Sequence, residues 1–158
     1  MRRRIPGGIE VEYVGEKSAP GETKNRTDGS VIRHWDRFLL PSIAQVEYRD
    51  GARHLLATIY HTPIREDLTR AFFVQCFKLP LPRFLVRALV GRRVDRVLMQ
   101  DVAILREQHA SIRRFGGERY ASTELDLLGP EIQRMLRQVE RGLDPERADV
   151  ERRVKLRV

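Results

Sequence analysis

The chain has 158 residues, of which 41% are hydrophobic and 33% charged. This is the composition of a folded domain, not of a disordered segment, and the length suits one domain with one sizeable core. No run approaches the roughly 20 apolar residues of a membrane helix. The single cysteine, Cys76, excludes an internal disulfide, a zinc ribbon or a [2Fe-2S] cluster built by this chain alone.

A net charge of +8 raises the question of nucleic acid. The basic residues are dispersed, however, from Arg2, Arg3 and Arg4 through Arg92, Arg93, Arg113 and Arg114 to the tail. Glu140, Asp144, Glu146, Asp149 and Glu151 are mixed into that tail. No nucleic-acid motif accompanies them, so a solvated Arg-rich surface is expected and nucleic acid is not an expected partner. The basic start is followed by Pro6-Gly7-Gly8, not by an apolar signal region, and the expected location is the cytoplasm.

In chain order, residues 9–14 alternate as a strand does, and residues 16–30 are polar and Gly/Pro-bearing, which predicts a loop. Residues 31–40 carry Val31, Trp35 and Phe38 around His34 and Asp36 before Pro41 closes them. Residues 42–48 and 54–60 flank Arg49-Asp50-Gly51-Ala52, a strong hairpin signal. Residues 62–67 read as a turn, since Pro63 is barred from a central ladder position. Residues 68–79 predict a further strand, apolar on both faces and therefore covered on both sides, with Cys76 a small buried hydrophobe.

Pro80 and Pro82 end the β region. Pro82 suits the start of a helix, Gly91 is expected to break it, and a second helix is expected over 92–114, stopped by Gly116-Gly117. A last helix should begin near Gly129-Pro130 and end at Gly142, with Leu128, Ile132, Met135, Leu136 and Val139 as its apolar stripe. Hairpin-linked strands followed by helices predict an α+β domain, a curved antiparallel sheet wrapped on a long helix with a cavity between them. The boundaries are 1–142 for the domain and 143–158 for a charged tail.

The second of these helices holds the informative detail. Val94, Leu98, Asp101, Leu105, Gln108 and Ile112 share one helical face. If that face points inward, Asp101 interrupts it, and a carboxylate removed from water needs compensation. An arginine, a hydrogen-bond cluster, a metal ion or a water-filled cavity would each supply it, and a slightly rotated helix would bring Asp101 to the rim. His34, His54, His61 and His109 lack the close spacing that puts two imidazoles on one metal. His54 and His61 should point to opposite faces of one strand, and His109 is turned about 80° from Asp101.

The stretch Gln100-Asp101-Val102-Ala103-Ile104-Leu105-Arg106-Glu107-Gln108 resembles the late helix of the catalytic domain in Rieske-type non-haem iron oxygenases, the aromatic ring-hydroxylating enzymes, and above all their vanillate demethylase and pheophorbide oxygenase-like branch. His61-Thr62-Pro63-Ile64, leading through Asp67 to Thr69-Arg70-Ala71-Phe72, is similar to that family's strand–turn–strand. Phe115-Gly116-Gly117-Glu118-Arg119-Tyr120 is similar to its C-terminal end. The resemblance covers about residues 9–142.

It implies a helix-grip (START/Bet v 1-like) fold, here incomplete, with Asp101 as the carboxylate ligand of one Fe(II). It further implies an O₂-dependent hydroxylation or demethylation of an apolar or aromatic substrate. The family's two iron-binding histidines and its Rieske domain have no counterpart here, and Arg106 stands where the family usually has Glu. The implied partner is therefore a chain bearing the Rieske centre and the histidines, or a homo-oligomer. Phe73, Phe77, Leu98, Leu105 and Gln108 are the expected pocket residues. The alternative is a non-catalytic module of the same fold that binds a hydrophobic small molecule.

Overall fold

Consecutive segments form six strands, each returning on the one before it, with apolar and polar residues alternating along the second. In the computed structural model, which describes residues 1–16, 32–80, 82–117 and 121–145, they are β1 (Arg2–Ile5), β2 (Gly8–Glu16), β3 (Ile32–Leu39), β4 (Ile43–Asp50), β5 (Arg53–Arg65) and β6 (Leu68–Lys78). Their spatial order is their sequence order, β1-β2-β3-β4-β5-β6, with every neighbouring pair antiparallel. Two helices follow, α1 (Arg83–Phe115) and α2 (Gly129–Glu140). The chain divides into two compact units, Met1–Lys78 with Ser122–Val158, and Leu79–Ala121. The α+β class is as expected. Most of the predicted 16–30 loop, Glu118 to Tyr120, and most of the predicted tail lie outside the described residues.

The Asp50-Gly51 hairpin forms where the sequence places it, joining β4 to β5 with Asp50 opposite Arg53. Gly51 has φ +54°, a region that costs an L-residue about 1–2 kcal/mol. Nothing lies within 4 Å of where its Cβ would stand. Gly51→Ala is therefore expected to lower stability by about 1 kcal/mol through backbone strain alone, read from the midpoint of urea unfolding.

Three departures from the sequence reading have physical causes. The turn expected over 62–67 is shorter, because β5 continues through Pro63 to Arg65, with a register shift between Pro63 and Arg65. The β4–β5 ladder ends at Ile43 opposite Tyr60, so Pro63 faces no β4 partner and its missing N–H breaks no bond there. β6, expected to be covered on both faces, is the last strand of the order and pairs only with β5. Phe72 is 53% exposed, Val74 is exposed, and Cys76 is exposed instead of buried. Finally, Gly91 does not break the helix: α1 runs unbroken for 33 residues. One glycine costs about 1 kcal/mol relative to alanine, too little to interrupt a cooperative helix flanked by leucine, arginine and alanine.

In the first unit, Ile9, Val11, Ile32 and Ala57 are buried on one sheet face. The short α2 serves that face. Its Met135 is 1% exposed, and Arg2 of β1 pairs with Glu131 of α2 at 3.0 Å. Of the expected α2 stripe, Leu128 and Ile132 are half-buried, while Leu136 and Val139 are exposed. The other unit carries α1, which begins after Pro82 and ends at Gly116 in a left-handed conformation. Arg113 and Arg114 lie in its last turn, where cations complement the helix dipole.

Candidate functional site

Asp101 lies on α1, as expected, but its side chain is exposed, so a carboxylate withdrawn from solvent is not what this position presents. Leu105 and Gln108 are exposed as well, and Leu98 is half-buried. The Asp101 carboxylate makes no ion pair or hydrogen bond among the described residues. Phe73 and Phe77, the other expected pocket residues, are half-buried on β6 opposite Ile59 and Leu55. They belong to the sheet-bearing unit, while Leu98, Leu105 and Gln108 belong to the α1 unit.

Three histidines have partners of their own. His34 lies between the rings of Tyr13 and Tyr48, at 4.6 and 4.1 Å, and its Nε2 is 2.9 Å from Asp36 Oδ1. His54 Nε2 is 2.8 Å from Glu47 Oε1, and His61 Nδ1 is 3.0 Å from the Ser42 carbonyl oxygen. His54 and His61 occupy opposite faces of β5, as their spacing predicts. Among the described residues no three of His, Cys, Asp and Glu come together as a metal site.

The most organised constellation lies on the other face of the sheet, and sequence reasoning missed it. Register places Glu10, Arg37 and Gln45 in one cross-strand row and Glu12, Trp35 and Glu47 in the next. Glu10 and Glu47 are 3% and 5% exposed, and Trp35 is 6% exposed. Arg37 bridges the two carboxylates, donating from Nε to Glu10 at 2.5 Å and from Nη1 to Glu47 at 2.6 Å. Arg3 adds a second donor to Glu10 at 2.7 Å, and Arg49 donates to Glu47 at 2.6 Å. The guanidinium carbons of Arg33, Arg49 and Arg37 stand 4.6, 5.7 and 5.9 Å from the Trp35 ring centroid, so cations roof the indole.

The electrostatics follow from this crowding. Burial opposes ionisation of Glu47, yet hydrogen bonds from Arg37 and Arg49, the charge of Arg37 and the hydrogen bond with His54 together hold its carboxyl below the usual range. Burial likewise opposes the charge on Arg37, and its bonds to Glu47 and Glu10 outweigh it and raise its pKa. Glu47 is thus ionised at neutral pH with its oxygens taken by three side chains. That arrangement clamps strands together and is poorly suited to proton transfer. The available signal was charge at alternate positions of three consecutive strands, Glu10 and Glu12, then Arg33 and Arg37, then Glu47 and Arg49.

Comparison with family models, curated proteins and solved structures returns no match. No helix among the described residues is long and apolar enough to cross a membrane.

Proposed function

We infer that the chain is the C-terminal part of a catalytic domain of the Rieske-type non-haem iron oxygenase class, working with a second polypeptide. The observation that carries this reading is the Gln100–Gln108 motif, which lies whole on the unbroken helix α1, with Asp101 exposed there and in no ion pair among the described residues. The antiparallel meander before that helix and the shorter helix after it occur in the order that the resemblance implies. On this reading the fold is an incomplete helix grip, the chain works in the cytoplasm, and its partner brings the Rieske centre and two histidines. The reaction class is O₂-dependent hydroxylation or demethylation of an apolar or aromatic substrate.

The test is an anaerobic Fe(II) titration of the chain alone and mixed with a co-encoded chain bearing the Rieske centre and the histidines. The isolated chain should bind iron weakly. The mixture should bind near stoichiometrically, and Asp101→Ala should lower that affinity at least tenfold. Iron binding by the mixture that is indifferent to Asp101→Ala would overturn the assignment.

A second reading has its own support in the exposed Tyr60, Phe72 and Val74, which share one sheet face, Tyr60 standing opposite Phe72. A non-catalytic module would use such surface to hold a hydrophobic small molecule. Thermal stabilisation by an apolar probe that survives a chelator would favour it over the iron-dependent reading.

A further inference from the structure

Where β1 meets α2, three arginines gather around one carboxylate. β1 directs Arg2 and Arg4 to the sheet face on which Met135 of α2 is buried. There they meet Glu131, in the first turn of α2, and Arg134, one turn further on. Arg2 Nη1 lies 3.0 Å from Glu131 Oε1. Arg134 Nε and Arg4 Nη2 both approach Glu131 Oε2, at 2.9 and 3.9 Å. Three guanidinium groups therefore converge on one carboxylate.

The hydrogen bonding is incomplete in a particular way. Arg134 spends Nε on Glu131 and Nη1 on Gln138 Oε1 at 2.8 Å, which leaves Nη2. Arg4 Nη2 is too far from Glu131 for a hydrogen bond. Both nitrogens are buried and have no acceptor among the described residues. The Arg4 side chain as a whole is 12% exposed, while Arg134 is the more open, at the rim of the cluster. Buried charged donors are rarely left unpaired, because each has lost its water without replacement. Two such donors in one cluster around Glu131 can serve a second acceptor. The fixed fork of a guanidinium favours a carboxylate or phosphate in that role, and the N-terminal turn of α2 adds its partial positive charge.

We propose that Arg4 and Arg134, with Arg2 and Glu131 as their frame, form a binding site for a small oxyanion, either a phosphate group or a carboxylate. The site is independent of Asp101 and of any iron chemistry.

The experiment is thermal unfolding of the full chain with added inorganic phosphate, acetate or chloride at matched ionic strength and pH. Phosphate or acetate should raise the melting temperature beyond chloride, by an amount that saturates with concentration. The salt that saturates at lower concentration identifies the preferred oxyanion. Arg4→Met and Arg134→Met should each remove the oxyanion-specific increment while their unfolding in chloride remains cooperative. Should either variant fail to fold, ¹H–¹⁵N titration of the wild-type chain with phosphate and acetate supplies the second measurement, with shifts expected at the Arg4 and Arg134 side chains. Equal effects of all three salts with no such side-chain shifts, or an increment that survives in both variants, would overturn the proposal.

Discussion

Glu47→Ala is expected to destabilise the sheet-bearing unit by about 3–5 kcal/mol, the range for removing one member of a buried ion cluster. The carboxylate is the shared acceptor for Arg37, Arg49 and His54. Without it, Arg37 keeps Glu10 but loses its second partner, and the side-chain link from β2 to β4 through Arg37 and Glu47 is severed. Trp35, the single tryptophan, stands beneath Arg37 and Arg49, and beneath Arg33, and reports the change directly by fluorescence during urea unfolding. A loss below about 1 kcal/mol, the usual value of an exposed pair, would mean that the cluster is solvated and weak.

The same residue sets the acid limb of stability. Its carboxyl has a folded pKa lowered from the ordinary 4.5. Folding thus favours the ionised form, and this contribution is complete above the unfolded value. It is lost as pH falls below 4.5 and through the lowered folded value. Glu47→Gln should flatten the decline of stability in that window while leaving the slope above it unchanged. An unaltered acid limb in the variant would place the responsible carboxylates elsewhere.

Met135→Ala is expected to cost about 2–5 kcal/mol, the range for emptying a buried methionine-sized site. Met135 is the buried residue of α2, at 1% exposure, while its stripe neighbours Leu136 and Val139 face solvent. The helix is only 12 residues long, too short to be stable by itself in water. Its order therefore depends on this side chain and on the pairing of Glu131 with β1. Hydrogen exchange should show the α2 amides losing protection before those of β2 and β3. Met135→Leu, which nearly conserves volume, should cost less than about 1.5 kcal/mol. Equal protection of α2 in wild type and Met135→Ala would show that other contacts hold the helix.

Much of the β region was legible because its signals are local. Strand alternation, Asp50-Gly51 between two such runs, and the close of α1 at Gly116 each depend on a few neighbouring residues. The errors occurred where a distant part of the chain decides. Pro63 is tolerated because β4 has already ended. β6 is exposed on the face that carries Phe72, Val74 and Cys76, and half-buried on the face of Phe73 and Phe77, a difference set by what packs on each face. Neither is encoded by residues 62–79 themselves. Arg2 and Arg4 read as dispersed surface charge until β1 pairing brought them to Glu131.

Asp101 illustrates the same division. Spacing alone puts it with Leu98, Leu105 and Gln108 on one side of α1, since 3.6 residues per turn follows from backbone geometry. Whether that side meets solvent is set by what packs against it, and the side chain is exposed. By itself the sequence determined the α+β class, the hairpin succession and the absence of enough cysteine for a cluster, all consequences of composition and short-range periodicity. The tertiary structure decided the arginine–carboxylate lattice around Trp35 and the convergence of three arginines on Glu131. Those depend on register between strands and on helix docking, which bring together side chains that are up to about 130 positions apart in the chain, beyond the few-residue reach of any periodicity.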